Sequence, residues 1–293
     1  MSELCTLLQR KTFGGVLRVF ANKPEQVAPQ CDRALGLARK ILSLHCEKKR
    51  VFKKVVIAVP ADARRVDHDC GESYAYLRSQ LERGERIELI NAVDDDLFCG
   101  VLNRGISRLK TDYSLVISGA AEEFLDLNFM EQAAAGFHHG AKVIGMAIKE
   151  MAHLVHVGAV ANTCAIWDSE ELFAAGGFDH YAEQPFGPGA NHNPYTDERL
   201  VGYAQASDGE TARTYPVAGV EEIVPLVRLV RKHGQCILPV SPTSDVTWTE
   251  PTDPDELRRH QSKMANKIGR MEFMARHVQA ELSFLRIGVM PPV

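Results

Sequence analysis

The chain has 293 residues, 45% hydrophobic and 25% charged, with 34 basic and 38 acidic side chains giving a formal charge of −4. That length holds one large α/β domain with a sizeable core plus an appendage, and the slightly acidic balance supplies no electrostatic footprint for nucleic acid. No run approaches the roughly 18 apolar residues of a membrane span.

The opening, MSELCTLLQRKTFGG, has neither an apolar h-region nor a small-residue cleavage site. Seven cysteines, an odd number without close pairs, read as reduced thiols of a cytoplasmic protein rather than a disulfide framework or a zinc site. Gly15 to Ala21 predicts a first strand, Asn22 to Glu25 a turn, and Gln26 to His45 a helix whose apolar face is Leu35, Leu37, Ala38, Ile41 and Leu42. Lys53 to Pro60 predicts a second strand, ending at Ala61 and Asp62, with a helix over Glu72 to Arg83 that Gly84 stops. Ile87 to Val93, Cys99 to Lys110 and Tyr113 to Ile117 then predict strand, helix and strand. This alternation yields a parallel sheet with helices on both faces, whose ligands sit past the carboxyl ends of the strands. The chemistry is therefore expected at Asp94 to Asp96 and Ser118 to Glu123.

Asn128 to Gly140 predicts a further helix and Lys142 to Ala147 a strand. Asn162 to Trp167, a short helix over Ser169 to Ala175, and Gly176, Gly177, Phe178 and Asp179 follow in order. From 180 to 219 the chain reads as a long irregular loop, with spacing for a short helix over Tyr195 to Ala206. Gly219 to Gly234 predicts a helix with Glu221 and Glu222 at its start and Arg228, Arg231, Lys232 and His233 toward its end, as the macrodipole favours. In the tail, 251–293, Asp253 caps a helix with Pro254 at its first position and Glu256 at its third. Leu257, Met264, Met271, Val278 and Leu285 form a heptad seam on a helix roughly 45 Å long. That seam docks on its own domain or pairs two copies as a homodimer; Gln261 and Gly269 interrupt it and favour docking.

Several of these stretches together resemble the family-2 glycosyltransferases of the GT-A fold. The resemblance is carried by Asn103, Gly105, Asp112 and Tyr113, the strand with Asn-x-Pro-Glu at Asn22 to Glu25, and the Gly-Gly-Phe-Asp turn. It implies a three-layer α/β sandwich with a mostly parallel sheet over 1–250, to which the long C-terminal helix read from the tail seam is added. It also implies transfer of a sugar from a nucleoside diphosphate sugar to an acceptor whose identity the sequence leaves open, with inversion at the anomeric carbon.

By position, Asn22, Glu25, Asp62, Asp95, Asn103, Ser118, Gly119, Ala120, Gly177, Asp179 and Arg228 would line the substrates. Asp62 would accept from the nucleotide base, although a plain turn aspartate is an equal reading. Glu221 and Glu222 stand where the family has Glu-Asp, so Glu222 would be the catalytic base, against the reading of an acid that only complements the helix dipole. Asp197 and Glu198 are rivals for that role. The family's Asp-x-Asp, which holds Mn2+ or Mg2+ on the diphosphate, is here Ser118-Gly119-Ala120 and supplies no anion for a hard cation. Glu122 and Glu123 are the nearest acids that could replace it. Either the protein works without that metal site or it is a degenerate GT-A protein serving as a binding or assembly module. Asp67-His68-Asp69 lies in the wrong loop, His138 and His139 complement a helix end, and His153 and His156 lack zinc-site company.

Overall fold

Short apolar runs flanked by helices can bury both faces only inside a sheet covered on both sides, and that is how the chain folds. The computed structural model describes residues 2–19, 21, 24–59, 70–91, 98–147, 160, 163–178, 222–240, 254 and 257. In chain order these give α1 (Glu3–Leu7), β1 (Phe13–Arg18), a 3-10 turn (Pro24–Gln26), α2 (Val27–Ser43), a hairpin of β2 (His45–Cys46) and β3 (Lys49–Arg50), and β4 (Phe52–Val59). Then come α3 (Cys70–Gln80), β5 (Ile87–Asn91), α4 (Phe98–Leu109), β6 (Tyr113–Ile117) and a 3-10 segment (Gly119–Phe124). The remainder is α5 (Leu127–His138), β7 (Val143–Met146), β8 (Cys164–Asp168), α6 (Ser169–Ala174), α7 (Ile223–His233) and β9 (Ile237–Val240).

Seven strands form one sheet in the order β5-β4-β1-β6-β8-β7-β9. All neighbouring pairs are parallel except those made by β8, which runs against both β6 and β7. The strand at the centre of the expected site, β6, is buried at every position. Its residue range is the one expected from sequence, because a short run ending in Leu115, Val116 and Ile117 between the polar Asp112 and Ser118 leaves the pattern little freedom. Hairpin, α1 and β9 were not expected, and the last is short and carries Pro239 at its third position.

The faces are fixed by side-chain alternation. A Cβ on Gly15 would meet Ile41 of α2 at 3.5 Å, whereas one on Gly14 would meet Leu109 of α4 at 2.8 Å. Val16 Cγ1 lies 2.9 Å from where Gly105 of α4 would carry a Cβ, so odd positions of β1 face α2 and even ones face α4. Across β6, Tyr113 stacks on Phe137 of α5 with ring centroids 4.0 Å apart, while Ser114 Oγ lies 2.8 Å from Ser169 Oγ of α6. The sheet is thus sandwiched between a layer containing α2 and α5 and one containing α4, α6 and α7.

One expectation needs correcting. Cys5 and Cys46 are joined by a disulfide with Cα atoms 6.0 Å apart, tying α1 to the hairpin, although they are 41 positions apart in sequence. Spacing could not reveal this, since the pair is made by α1 folding back onto α5. Cys31, Cys99, Cys164 and Cys236 are buried free thiols. No helix among the described residues is long and apolar enough to cross a membrane. The expected tail seam lies outside the described residues, apart from helical Pro254 and Leu257.

Candidate active site

The carboxyl edge of the parallel strands is where a ligand can reach backbone and side chains that are not already covered by crossover helices. Strand β6 delivers Ser118 there, in extended conformation (φ −107°, ψ 159°), as the cap of the 3-10 segment. Its N–H donates to the Thr163 carbonyl at 2.9 Å, which ties this corner to the start of β8. Ser118 and Gly119 are half-buried. The Ser118 Oγ is buried and has no hydrogen-bond partner among the described residues. Alternation continued from Ser114 points it to the α4–α6 face. Gly119 turns to the other face, where a Cβ would lie 2.8 Å from Arg33 Cδ on α2.

Three basic neighbours of this corner, Arg18, Lys40 and Arg33, escaped the sequence reading. Arg18 ends β1, and since Leu17 is paired with Ile117, Arg18 and Ser118 are the next residues side by side across the β1–β6 seam. Strand spacing there is roughly 4.8 Å. Arg18 is half-buried, with its Nη1 shielded from water. A lone charge in the middle of the otherwise apolar 15–21 run was the signal that could have found it. On the α2 side, Lys40 Nζ donates to the Glu122 carbonyl at 2.5 Å, alongside the exposed Arg33.

Glu222 is the N-cap of α7, makes no capping bond with its side chain, and is 0% exposed. A helix that merely complemented its dipole with an acid would leave it in water, because burying a carboxylate costs several kcal/mol before compensation, on the order of the penalties known for ions in proteins. The end of α7 that carries it is the end near the carboxyl edge. At the other end, Lys232 and His233 reach Glu171 at 2.6 and 2.8 Å, and Lys142, which precedes β7, sits 3.6 Å from the same carboxylate. Eleven helical residues, about 16 Å, run from that foot back up the sheet.

Midway along α7, Arg228 donates from Nη1 to the Ala175 carbonyl at 2.9 Å, and the same nitrogen lies 2.6 Å from where Gly176 would carry a Cβ. Gly176 and Gly177 have φ of +92° and +71°, conformations that a side chain disfavours. Asn103 of α4 then clamps Phe178 from both sides of its amide: Nδ2 donates to the carbonyl at 2.8 Å and Oδ1 accepts from the N–H at 2.9 Å. Phe178 packs edge-on against Trp167 of β8, centroids 5.1 Å apart. The structure therefore brings Asn103, Gly177 and Arg228 together in one turn that launches the chain toward Asp179.

Of the other expected residues, Glu25 lies in the 3-10 turn before α2, and Asn22, Asp62, Asp95, Asp179 and Glu221 lie outside the described residues, as do Asp197 and Glu198. Asp112 is at the foot of the sheet, accepting from Thr12 N and Oγ1 at 2.8 and 2.9 Å and from Lys11 Nζ at 3.0 Å. Burial pushes its carboxyl up, but those bonds outweigh it and hold it below the ordinary aspartate value. Among the described residues no three His, Cys, Asp or Glu side chains cluster as a cation would require. Ser118, Gly119 and Ala120 contribute no carboxylate, and the backbone of Glu122 is already engaged by a lysine. Among the described residues, the Ser118-Gly119-Ala120 triplet thus offers no anion of the kind a hard divalent cation takes. Thiol chemistry has no support either, because burial pushes Cys164 up and Cys236 up to about 11.

No family model matches the chain, and no curated protein matches it. Solved structures do resemble it. One is glucosyl-3-phosphoglycerate synthase from Mycobacterium tuberculosis in complex with uridine diphosphate, at 11% identity and TM-score 0.47, covering 92% of this chain and 83% of that one. Another is a mannosyltransferase from Pyrobaculum calidifontis in complex with GDP-Man and Mn2+, at 9% identity and TM-score 0.41, covering 92% and 76%. A third is mannosyl-3-phosphoglycerate synthase from Rubrobacter xylanophilus, at 13% identity and TM-score 0.44, covering 95% and 78%. At such scores the likeness is one of chain course and transfers no residue's role.

Proposed function

We propose that this protein is a glycosyltransferase of the GT-A type that takes its sugar from a nucleoside diphosphate sugar at the carboxyl edge of β1, β4 and β6. The observation that carries the reading is Glu222, a carboxylate withdrawn entirely from water at the end of a helix fastened at its foot and middle. Buried acids held in place at a ligand-binding edge are the groups general-base chemistry uses. In the reaction, the acceptor oxygen forms a bond to the anomeric carbon as the bond from that carbon to the diphosphate breaks. The electron pair leaves with the diphosphate, and the acceptor's proton passes to Glu222. Asp62 binds the base, Ser118 to Ala120 line the diphosphate, and the Gly176–Asp179 turn presents the acceptor side. Donor sugar and acceptor are set by loop side chains.

Thermal melting with UDP- and GDP-sugars tests the binding half, because a ligand that binds only the folded state raises the melting temperature. A shift with one of them is expected, and none with any would end the reading. Turnover tests the base: Glu222→Gln should lose about 100-fold or more in kcat, the usual reach of general-base catalysis, and unchanged turnover would remove Glu222 from the mechanism. The absence of any carboxylate at Ser118-Gly119-Ala120 favours a second reading, a non-catalytic sugar-nucleotide-binding or assembly module. That reading predicts no turnover, with a melting shift if the module binds sugar nucleotides and none if it serves assembly alone.

A further inference from the structure

The strand that would carry a cation's ligands ends here in Ser118-Gly119-Ala120, yet departure of a diphosphate still needs its developing charge met by something. Resting on the donor reading above, we infer that Arg18 meets it, and that this protein holds the diphosphate of its donor without a divalent cation. The register makes Arg18 the cross-strand neighbour of Ser118, the position from which a metal ligand is missing. Alternation puts both side chains on the α4–α6 face, the side of the sheet on which α7 presents Glu222. A guanidinium suits this duty: it stays charged at any working pH, and its planar fork of N–H donors matches two oxygens of a phosphate. Its partial burial strengthens each such bond relative to one made in water.

Gly119, the middle residue of the triplet, packs against the stem of an arginine on α2. Any side chain on Gly119 would have to displace the stem of Arg33, whose Cδ stands 2.8 Å from the Cβ position. Arg33 makes no hydrogen bond or ion pair among the described residues, so a second cation stands over the same loop from the opposite face. As the bond from the anomeric carbon to oxygen breaks, the electron pair settles on the diphosphate oxygen, where the Arg18 N–H groups donate to it. No proton is transferred from Arg18.

Titration calorimetry of the full chain with UDP, GDP and inorganic pyrophosphate, each in EDTA and in Mn2+, decides the matter. One nucleoside diphosphate is expected to bind equally well in both media. Arg18→Ala should weaken it by about 30-fold, the order of a lost charge-assisted hydrogen-bond pair, with Arg18→Lys recovering part. Pyrophosphate should show the same dependence on Arg18, since the contact is to phosphate alone. Binding by the wild type that appears only with Mn2+ overturns the inference and leaves the donor reading standing. The same holds if Arg18→Ala, folded by its melt, binds as tightly as the wild type. Should Arg18→Ala fail to fold, the wild-type comparison in EDTA and Mn2+ still decides. Failure of both UDP and GDP in both media removes the donor reading and the inference with it.

Discussion

Asn103 shows how a polar residue inside a helix becomes a structural clamp. Both ends of its amide are committed to the backbone of Phe178, and the turn they hold has no room for a side chain at Gly177, where a Cβ would fall 2.8 Å from Asn103 Oδ1. Asn103→Ala should cost roughly 1–3 kcal/mol, because it strands a part-buried N–H and carbonyl together. Asn103→Asp keeps the acceptor, loses the donor and should cost less. Urea denaturation of the two variants checks the order, and equal stability of Asn103→Ala and wild type would show the clamp to be idle. The residue types of this site were partly legible in sequence. Asn103, the paired glycines and Arg228 were each picked out, yet nothing in their spacing said that they touch one another. Arg18 was hidden because the strand run around it reads as core, and register across a β1–β6 seam is a property of two distant segments.

At the scale of elements, the helices that matter for the site are held by charges at the foot of the sheet. Glu171 on α6 joins Lys232 and His233 of α7 and lies near Lys142, and the bond from Lys232, assisted by His233 and Lys142 against a desolvation cost, pulls its carboxyl from 4.5 to about 2. A carboxyl held lower in the folded state than in the unfolded chain stabilises above its unfolded value and loses that contribution as pH falls through the folded one. Solvent screening of so shallow a cluster leaves the knot on the order of 1 kcal/mol above pH ~4.5, released progressively toward pH ~2. Glu171→Gln should remove that part of the acid limb: its stability, followed by urea melts between pH ~5 and ~2, should fall less steeply than that of the wild type. Parallel slopes would mean the knot contributes nothing. Elements whose period is unambiguous, such as β6 and α4, were readable in the sequence. The reversed direction of β8 was not, because a strand's pattern is the same whichever way it runs, and α7 begins at Ile223 rather than at Gly219.

Among the described residues, the crosslinks and the proposed site occupy opposite ends of the sheet. The foot carries the Asp112–Thr12–Lys11 latch, the Glu171 knot and the Cys5–Cys46 disulfide, while Arg18, Ser118 and Glu222 stand at the carboxyl edge. The disulfide closes a chain segment that contains all of β1 and α2, with its ends 41 positions apart. Loop-closure entropy for a segment of that length gives about 4 kcal/mol as the ideal gain, and native disulfides commonly deliver 2–4. Because the crosslink acts on the unfolded chain and lies at the foot, its loss should lower stability without moving the groups at the rim. Cys5→Ser, or reduction of the wild type with dithiothreitol, should therefore lower the melting temperature by several degrees, the shift a loss of about 2–4 kcal/mol produces in a large domain. The affinity for the nucleoside diphosphate should stay within about twofold, as expected for sites that do not share partners. A fall in affinity matching the fall in stability would mean that foot and rim are mechanically coupled through β1, and that the separation drawn from their positions is wrong.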